Sequence, residues 1–257
     1  MRLTEQFIAF QTIVKKEMLR FMRIWIQTVL PAGITMALYF IIFGNLIGSQ
    51  IGNIGDFSYM EYIVPGIILM SVINNSYSNV VSSFFSAKFQ RHIEEMQVSP
   101  MPNYIILLGF IFGGVARGLI VGVVVSIISL MFVDLNIHSI PIAIFVVILT
   151  AILFSIAGLI NAVFAKSFDD ISIIPTFVLT PLIYLGGVFY SVEMLSGFWQ
   201  SISLFNPLLY MVNAFRYSFL GVTDIDLTIA FTIIILFVVS LFSFALYLLN
   251  HGIGIRD

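Results

Sequence analysis

The sequence predicts an all-α, polytopic integral membrane protein, and three observations lead there. The 257-residue chain is 60% hydrophobic and only 9% charged, against roughly 25% charged residues in an ordinary soluble domain. Its apolar residues gather into six stretches near the ~20 residues that a bilayer-spanning helix needs. Its Lys and Arg fall on alternate connecting segments, the bias that orients membrane proteins. The net charge of -2 offers no global basic field for nucleic acid, and the absence of cysteine excludes disulfides, thiolate metal sites and Cys nucleophiles.

Residues 1–24 are expected to form an amphipathic interfacial helix. They do not read as a signal peptide, because the apolar stretch that follows is long enough to cross a bilayer and no small-residue cleavage pattern ends it. Phe7, Phe10, Val14, Met18 and Phe21 recur at spacings of three and four, while Lys15, Lys16, Arg20 and Arg23 sit near the first span. That arrangement suits a helix lying on the lipids of an anionic leaflet.

Residues 25–257 hold the predicted spans, near Trp25 to Ile47, Tyr62 to Phe85, Ile105 to Val133, Ile140 to Phe164, Ile171 to Tyr190 and Leu227 to Leu249. With the N-terminus inside, Arg2, Lys15, Lys16, Arg20, Arg23, Lys88, Arg91, Lys166 and Arg256 are cytoplasmic, Arg216 is outside and Arg117 lies within a span. Both termini are then cytoplasmic. Leu204 to Val222 is apolar enough for a seventh span by length, but Asn206, Pro207, Asn213 and Arg216 favour a re-entrant or interfacial helical pair before the last span.

Few residues suggest catalysis. His92, His138 and His251 lie in separate loops or at a terminus without ligand spacing, so no metal site is expected. Lys166-Ser167 lacks the glycines of a phosphate-binding loop, since Ala165 and Ile160 stand in their places. No acidic residue is expected deep in the membrane to couple a proton or ion, because Glu61, Asp169 and Asp170 fall at span ends. A transporter built on this chain therefore takes its energy from elsewhere, and ATP hydrolysed by a partner is the simplest source.

The polar features that remain have two readings each. Ser71, Asn75, Ser78 and Ser82 repeat along one face of the second span, widened by Asn74, Tyr77 and Asn79; they line a translocation path or act as interhelical glue. Arg117, the one formal charge within a span, meets an anionic group of a substrate, or snorkels or pairs with a polar neighbour. Gly109, Gly113, Gly114, Gly118 and Gly122 allow close helix packing, within one subunit by default. Pro175, Pro181, Gly186 and Gly187 predict a kinked fifth helix. In AKFQRHIEEMQVSPMPNY, Phe89, Ile93 and Met96 share a helical face beside Lys88, Arg91, Glu94 and Glu95, with Pro100 and Pro102 ending the helix. Such a segment docks on a partner or lies at the membrane surface.

With these residues in view, the chain resembles the type-2 ABC exporter permeases of bacterial inner membranes, and in particular small six-span members, over nearly its whole length. The motifs are FMRIWIQTVLP with ITMALYFIIFGNLIGS, FQRHIEEMQVSP, AKSFDDISIIPTFVLTP, and LGGVFYSVEMLSGFWQSISLFNPLLYMVNAFRYSFLG. The resemblance implies a permease homodimer bound to two copies of a separate cytoplasmic ATPase that holds ATP and Mg, exporting a drug, lipid or glycan. It implies that Arg91 to Val98 is the coupling helix, with Arg91, Ile93, Glu94, Glu95 and Met96 as coupling residues. It makes the segment before Trp25 the elbow helix and Ser191 to Val222 the re-entrant helices, where Asn206, Pro207 and Arg216 match the NP...R pattern. The chain departs from the family in lacking Gly-Thr in the coupling segment and in having Ser196-Gly197 where prolines are common. A membrane scaffold without transport activity is the rival reading; an enzyme acting on lipid is disfavoured by the lack of clustered His, Asp or Glu.

Overall fold

The computed structural model describes residues 2–135 and 137–255, which leaves Arg256 of the charge count outside the described residues. The described residues fold into ten principal helices, apart from one short 3-10 turn at Val192–Met194. They are α1 (Leu3–Arg23), α2 (Trp25–Ile51), α3 (Tyr59–Phe89), α4 (His92–Val98), α5 (Asn103–Ser129), α6 (Ile140–Phe164), α7 (Asp170–Tyr184), α8 (Gly197–Leu204), α9 (Pro207–Leu220) and α10 (Leu227–His251). A small addition to the all-α expectation is an antiparallel ribbon, Asn53–Ile54 with Phe57–Ser58, between α2 and α3.

The helices α2, α5, α6 and α10 are long and apolar enough to cross a membrane. The 31-residue α3 is longer still, but Asn and Ser interrupt its apolar run. The apolar α7 has 15 residues, about 22 Å at 1.5 Å per residue. It stops at Tyr184, short of the Tyr190 end expected, because Gly187 at φ +70° turns the chain out of helical geometry. Pro175 opens a π-helical stretch within it, and Thr180 Oγ1 donates to the Pro175 carbonyl. The apolar run read as a possible seventh span breaks at Phe205–Asn206, so it forms two separate helices, α8 and α9, and not one continuous span.

Local chemistry sets the helix ends. Ser58 and Glu61 form a capping box at the start of α3, and Asp226 accepts from the Thr228 and Ile229 amides to cap α10. The end of α6 is capped from another helix, where Lys88 Nζ donates to the carbonyls of Val163 at 2.6 Å and Ala165 at 2.8 Å. In the turn that follows, the backbone amides of Lys166 and Ser167 donate to Asp170 and hold its carboxyl below the usual range.

Helix α3 is the centre of the bundle, buried along most of its length against α5, α6 and α9. The glycine row on α5 lets both α1 and α3 approach it closely within the one subunit. A Cβ on Gly109 would collide with Ile13, one on Gly113 would meet Glu17 Cβ at 2.6 Å, and one on Gly118 would collide with Ser76 Oγ. On the other side, Gly158 of α6 would bring a Cβ within 2.6 Å of the Tyr77 carbonyl oxygen. Backbone cannot swing aside as a side-chain tip can, so Gly158→Ala is expected to cost about 1–3 kcal/mol by overpacking. Gly197→Ala, where a Cβ meets nothing within 4 Å, is the control. Equal melting temperatures for the two purified variants would show that the α3–α6 spacing adjusts freely.

Candidate functional site

The segment between α3 and α5 is built on a helix break. Arg91 adopts φ 61°, the one non-glycine left-handed residue among those described, and α4 starts after it. The single amphipathic face expected for Phe89, Ile93 and Met96 is therefore split: Phe89 ends α3 and is exposed, whereas Ile93 is wholly buried in the chain's own core and Met96 packs partly against it. Ile93 is thus an anchor for α4 and not an exposed contact. Gln97 Nε2 and Asn103 Nδ2 both donate to the Leu249 carbonyl, tying α4 and the start of α5 to the end of α10. Outward from this anchor stand Arg91 and Glu95, with Glu94 half-exposed and His92 Nδ1 3.5 Å from Glu95. Phe85, Lys88, Phe89, Arg91, Glu94 and Lys166 line an adjoining groove of about 440 Å³.

The polar stripe of α3 divides by burial. Ser71 and Asn75 are buried, Ser82 is half-buried and Ser78 is exposed. Ser71 and Ser82 donate to carbonyls within their own helix. Arg117 reaches across from α5, its Nε at 3.3 Å and Nη2 at 3.1 Å from Asn75 Oδ1, while Asn75 Nδ2 donates to the Ser71 carbonyl. One turn along α3, Arg20 Nη2 donates to Asn79 Oδ1 and to the Asn79 carbonyl.

The stripe of α1 facing the bundle is Ile13, Glu17 and Phe21; of the Phe7 to Phe21 row expected to face lipid, Phe7 and Met18 are exposed and Phe21 is buried. Glu17 is fully buried, accepting from Ser83 Oγ at 2.6 Å and pairing with Arg20 at 3.3 Å. The burial of this acid is unforeseen, although Glu17 stands on α1, outside the spans in which no acidic residue is expected. The signal is present in the sequence, since residues 13, 17 and 21 repeat every four and the Gly109–Gly113 notch needs a partner.

At the other end of α3, Arg216 is a core residue, not the loop charge expected. It is 1% exposed, donates to the Tyr62 carbonyl at 3.2 Å and the Gly187 carbonyl at 2.6 Å, and stacks over the Tyr62 ring at 3.9 Å. Asp224, close enough to exert a coulombic pull, accepts from Ser191 Oγ and Tyr62 Oη. Asn206 caps α9 through Leu208 N and donates to the Leu182 carbonyl, and Pro207 fills the first helical position. The three residues thus act at separate points of one framework, and Tyr62 and Asp224 join them unforeseen. Among the described residues no cluster could hold a metal ion.

The sequence that folds into these long apolar helices, with α4 anchored at one end and Arg216 cross-linking the other, has known relatives. Residues 8–220 match the ABC-2 type transporter membrane family, so the chain belongs to that family. It is 56% identical over 251 residues to the inner membrane transport permease YadH of Escherichia coli (strain K12), covering 98% of each chain. The same identity holds for the permease of that name from Shigella flexneri. More distant is Nodulation protein J of Neorhizobium galegae, 24% identical over 81% of this chain and 80% of that protein.

Proposed function

We propose that this chain is the membrane-spanning half of an ABC exporter of the inner membrane, moving a hydrophobic or amphipathic substrate outward as a homodimer bound to two ATPase subunits. The ATP and Mg sit on the partner. Six crossings by α2, α3, α5, α6, α7 and α10 leave both termini cytoplasmic, α1 becomes the membrane-surface elbow, and α8 with α9 re-enter from outside. The observation that supports this most directly is α4, a short helix fixed to the core through Ile93 and to α10 through Gln97 while Arg91, Glu94 and Glu95 face away. A lever of that kind transmits force because it is rigid behind and polar in front.

Affinity purification of the tagged chain in mild detergent tests the reading. Co-purification of a cytoplasmic ATPase in equal stoichiometry is expected; an ATPase-free oligomer, under conditions that keep such complexes intact, supports a scaffold instead. Substituting Glu94→Ala and Glu95→Ala together is expected to abolish most permease-dependent stimulation of ATP hydrolysis in the reconstituted complex without loss of membrane insertion. Unchanged stimulation would remove α4 as the coupling element.

A further inference from the structure

We infer that Arg117 and Arg20 form a binding site for the anionic headgroup of an amphipath, a phosphate or carboxylate class of ligand, where the elbow helix α1 meets α5 beside the polar face of α3. The inference rests on the exporter reading for its meaning but not for its test.

Arg117 lies fourteen residues beyond Asn103, the first residue of α5, or about 21 Å along the helix. Its Nε and Nη2 share one neutral acceptor, Asn75 Oδ1, and its Nη1 has no partner among the described residues. Arg20 binds Asn79 one turn along the same helix, and its Nη1 is likewise without a partner among them. The two guanidiniums are near enough to interact electrostatically. The single buried carboxylate among them, Glu17, pairs with Arg20, so the group carries one positive charge in excess. A formal charge inside a bilayer is expensive and needs a counterpart. Asn75 and Asn79 orient the guanidiniums but do not neutralise them.

What completes the site is therefore an anion, and guanidinium forks fit phosphate or carboxylate oxygens well. The exposed hydroxyl of Ser78 lies on the same stripe of α3, and α5 beyond it exposes Phe112 and Ile120. A polar spot framed by apolar helix faces suits a headgroup whose tail stays in lipid. An amphipath satisfies both surfaces, whereas a free anion satisfies one.

The test uses the purified full chain in detergent, with phosphatidic acid and phosphatidylcholine of matched acyl chains as probes and native mass spectrometry as readout. Phosphatidic acid is expected to bind about tenfold more tightly. Arg117→Gln is expected to abolish that preference, while Arg117→Lys, which keeps the charge but loses the planar fork, retains about threefold of it. The Lys15→Gln/Lys16→Gln variant, altering cations of α1 outside the cluster, is expected to keep it. Equal binding of the two lipids overturns the proposal, as does a loss that follows Lys15 and Lys16 instead of Arg117. Displacement of bound phosphatidic acid by equimolar inorganic phosphate overturns the amphipath assignment. Because no ATPase is present, failure here leaves the exporter reading standing, and absence of a co-purifying ATPase leaves this site standing.

Discussion

Replacing Arg216 by alanine is expected to destabilise the chain by about 3–5 kcal/mol, because two costs combine. The variant strands the carbonyls of Tyr62 and Gly187, which the guanidinium satisfies at 3.2 and 2.6 Å, at about 1–3 kcal/mol for each buried group left without a partner. It also empties the volume of the largest fully buried side chain, over the Tyr62 ring, and such truncations cost about 2–5 kcal/mol when neighbours relax only partly. The two overlap, which keeps the total near the upper end of either. Arg216→Lys is expected to recover less than half, since an ammonium reaches one carbonyl and loses the planar stack. Thermal unfolding in mild detergent checks this: a drop on the order of 10 °C is expected for alanine, at about 2–4 °C per kcal/mol for a chain of this size. A shift under about 2 °C would mean that water replaces the guanidinium, and that Arg216 does not hold α3, α9 and the Gly187 turn together.

Arg216 also shows where sequence reading reaches its limit. Its position in an apolar stretch with Asn206 and Pro207 is enough to argue against a simple span, and the break between α8 and α9 falls where Asn206 and Pro207 stand. Its partners are not legible, because Tyr62 and Gly187 lie 154 and 29 residues away and no periodicity encodes such distances. The long apolar helices are legible, since 3.6-residue periodicity and length are local properties. The end of α7 is not, because apolar composition continues past Tyr184 while the backbone turns at Gly187. The break at Arg91 escapes for the converse reason: nothing local announces a left-handed arginine, which costs about 1–2 kcal/mol and is held in place by the burial of Ile93 on one side and Phe85 on the other. For Arg117, the pairing with a polar neighbour that the sequence offers as one reading is met by Asn75.

Glu17→Ala is the second large effect expected, and it bears on how α1 is held. Removing one partner of a buried ion pair costs about 3–5 kcal/mol because the other charge is left uncompensated. Arg20 is 29% exposed at its side chain, so solvent screening lowers the expectation to about 2–3 kcal/mol. Ser83 Oγ also loses its acceptor, although a carbonyl one turn back along α3 is within its ordinary reach. If the cost is that of a stranded charge, removing the charge as well recovers part of it, and Glu17→Leu/Arg20→Leu, although it takes the donor from Asn79 Oδ1, is expected to melt above Glu17→Ala. If the cost is lost packing over Gly113, the double variant is no better than the single. Trypsin supplies an independent readout, because Arg23 is exposed at the junction of α1 and α2. Cleavage after Arg23 is expected to accelerate severalfold in Glu17→Ala as α1 lifts from α3 and α5, and to return towards the parent rate in the double variant. Cleavage and melting unchanged in Glu17→Ala would show that Ile13, Phe21 and the glycine notch hold α1 without the ion pair, leaving Glu17 as a polar group whose burial has some other use.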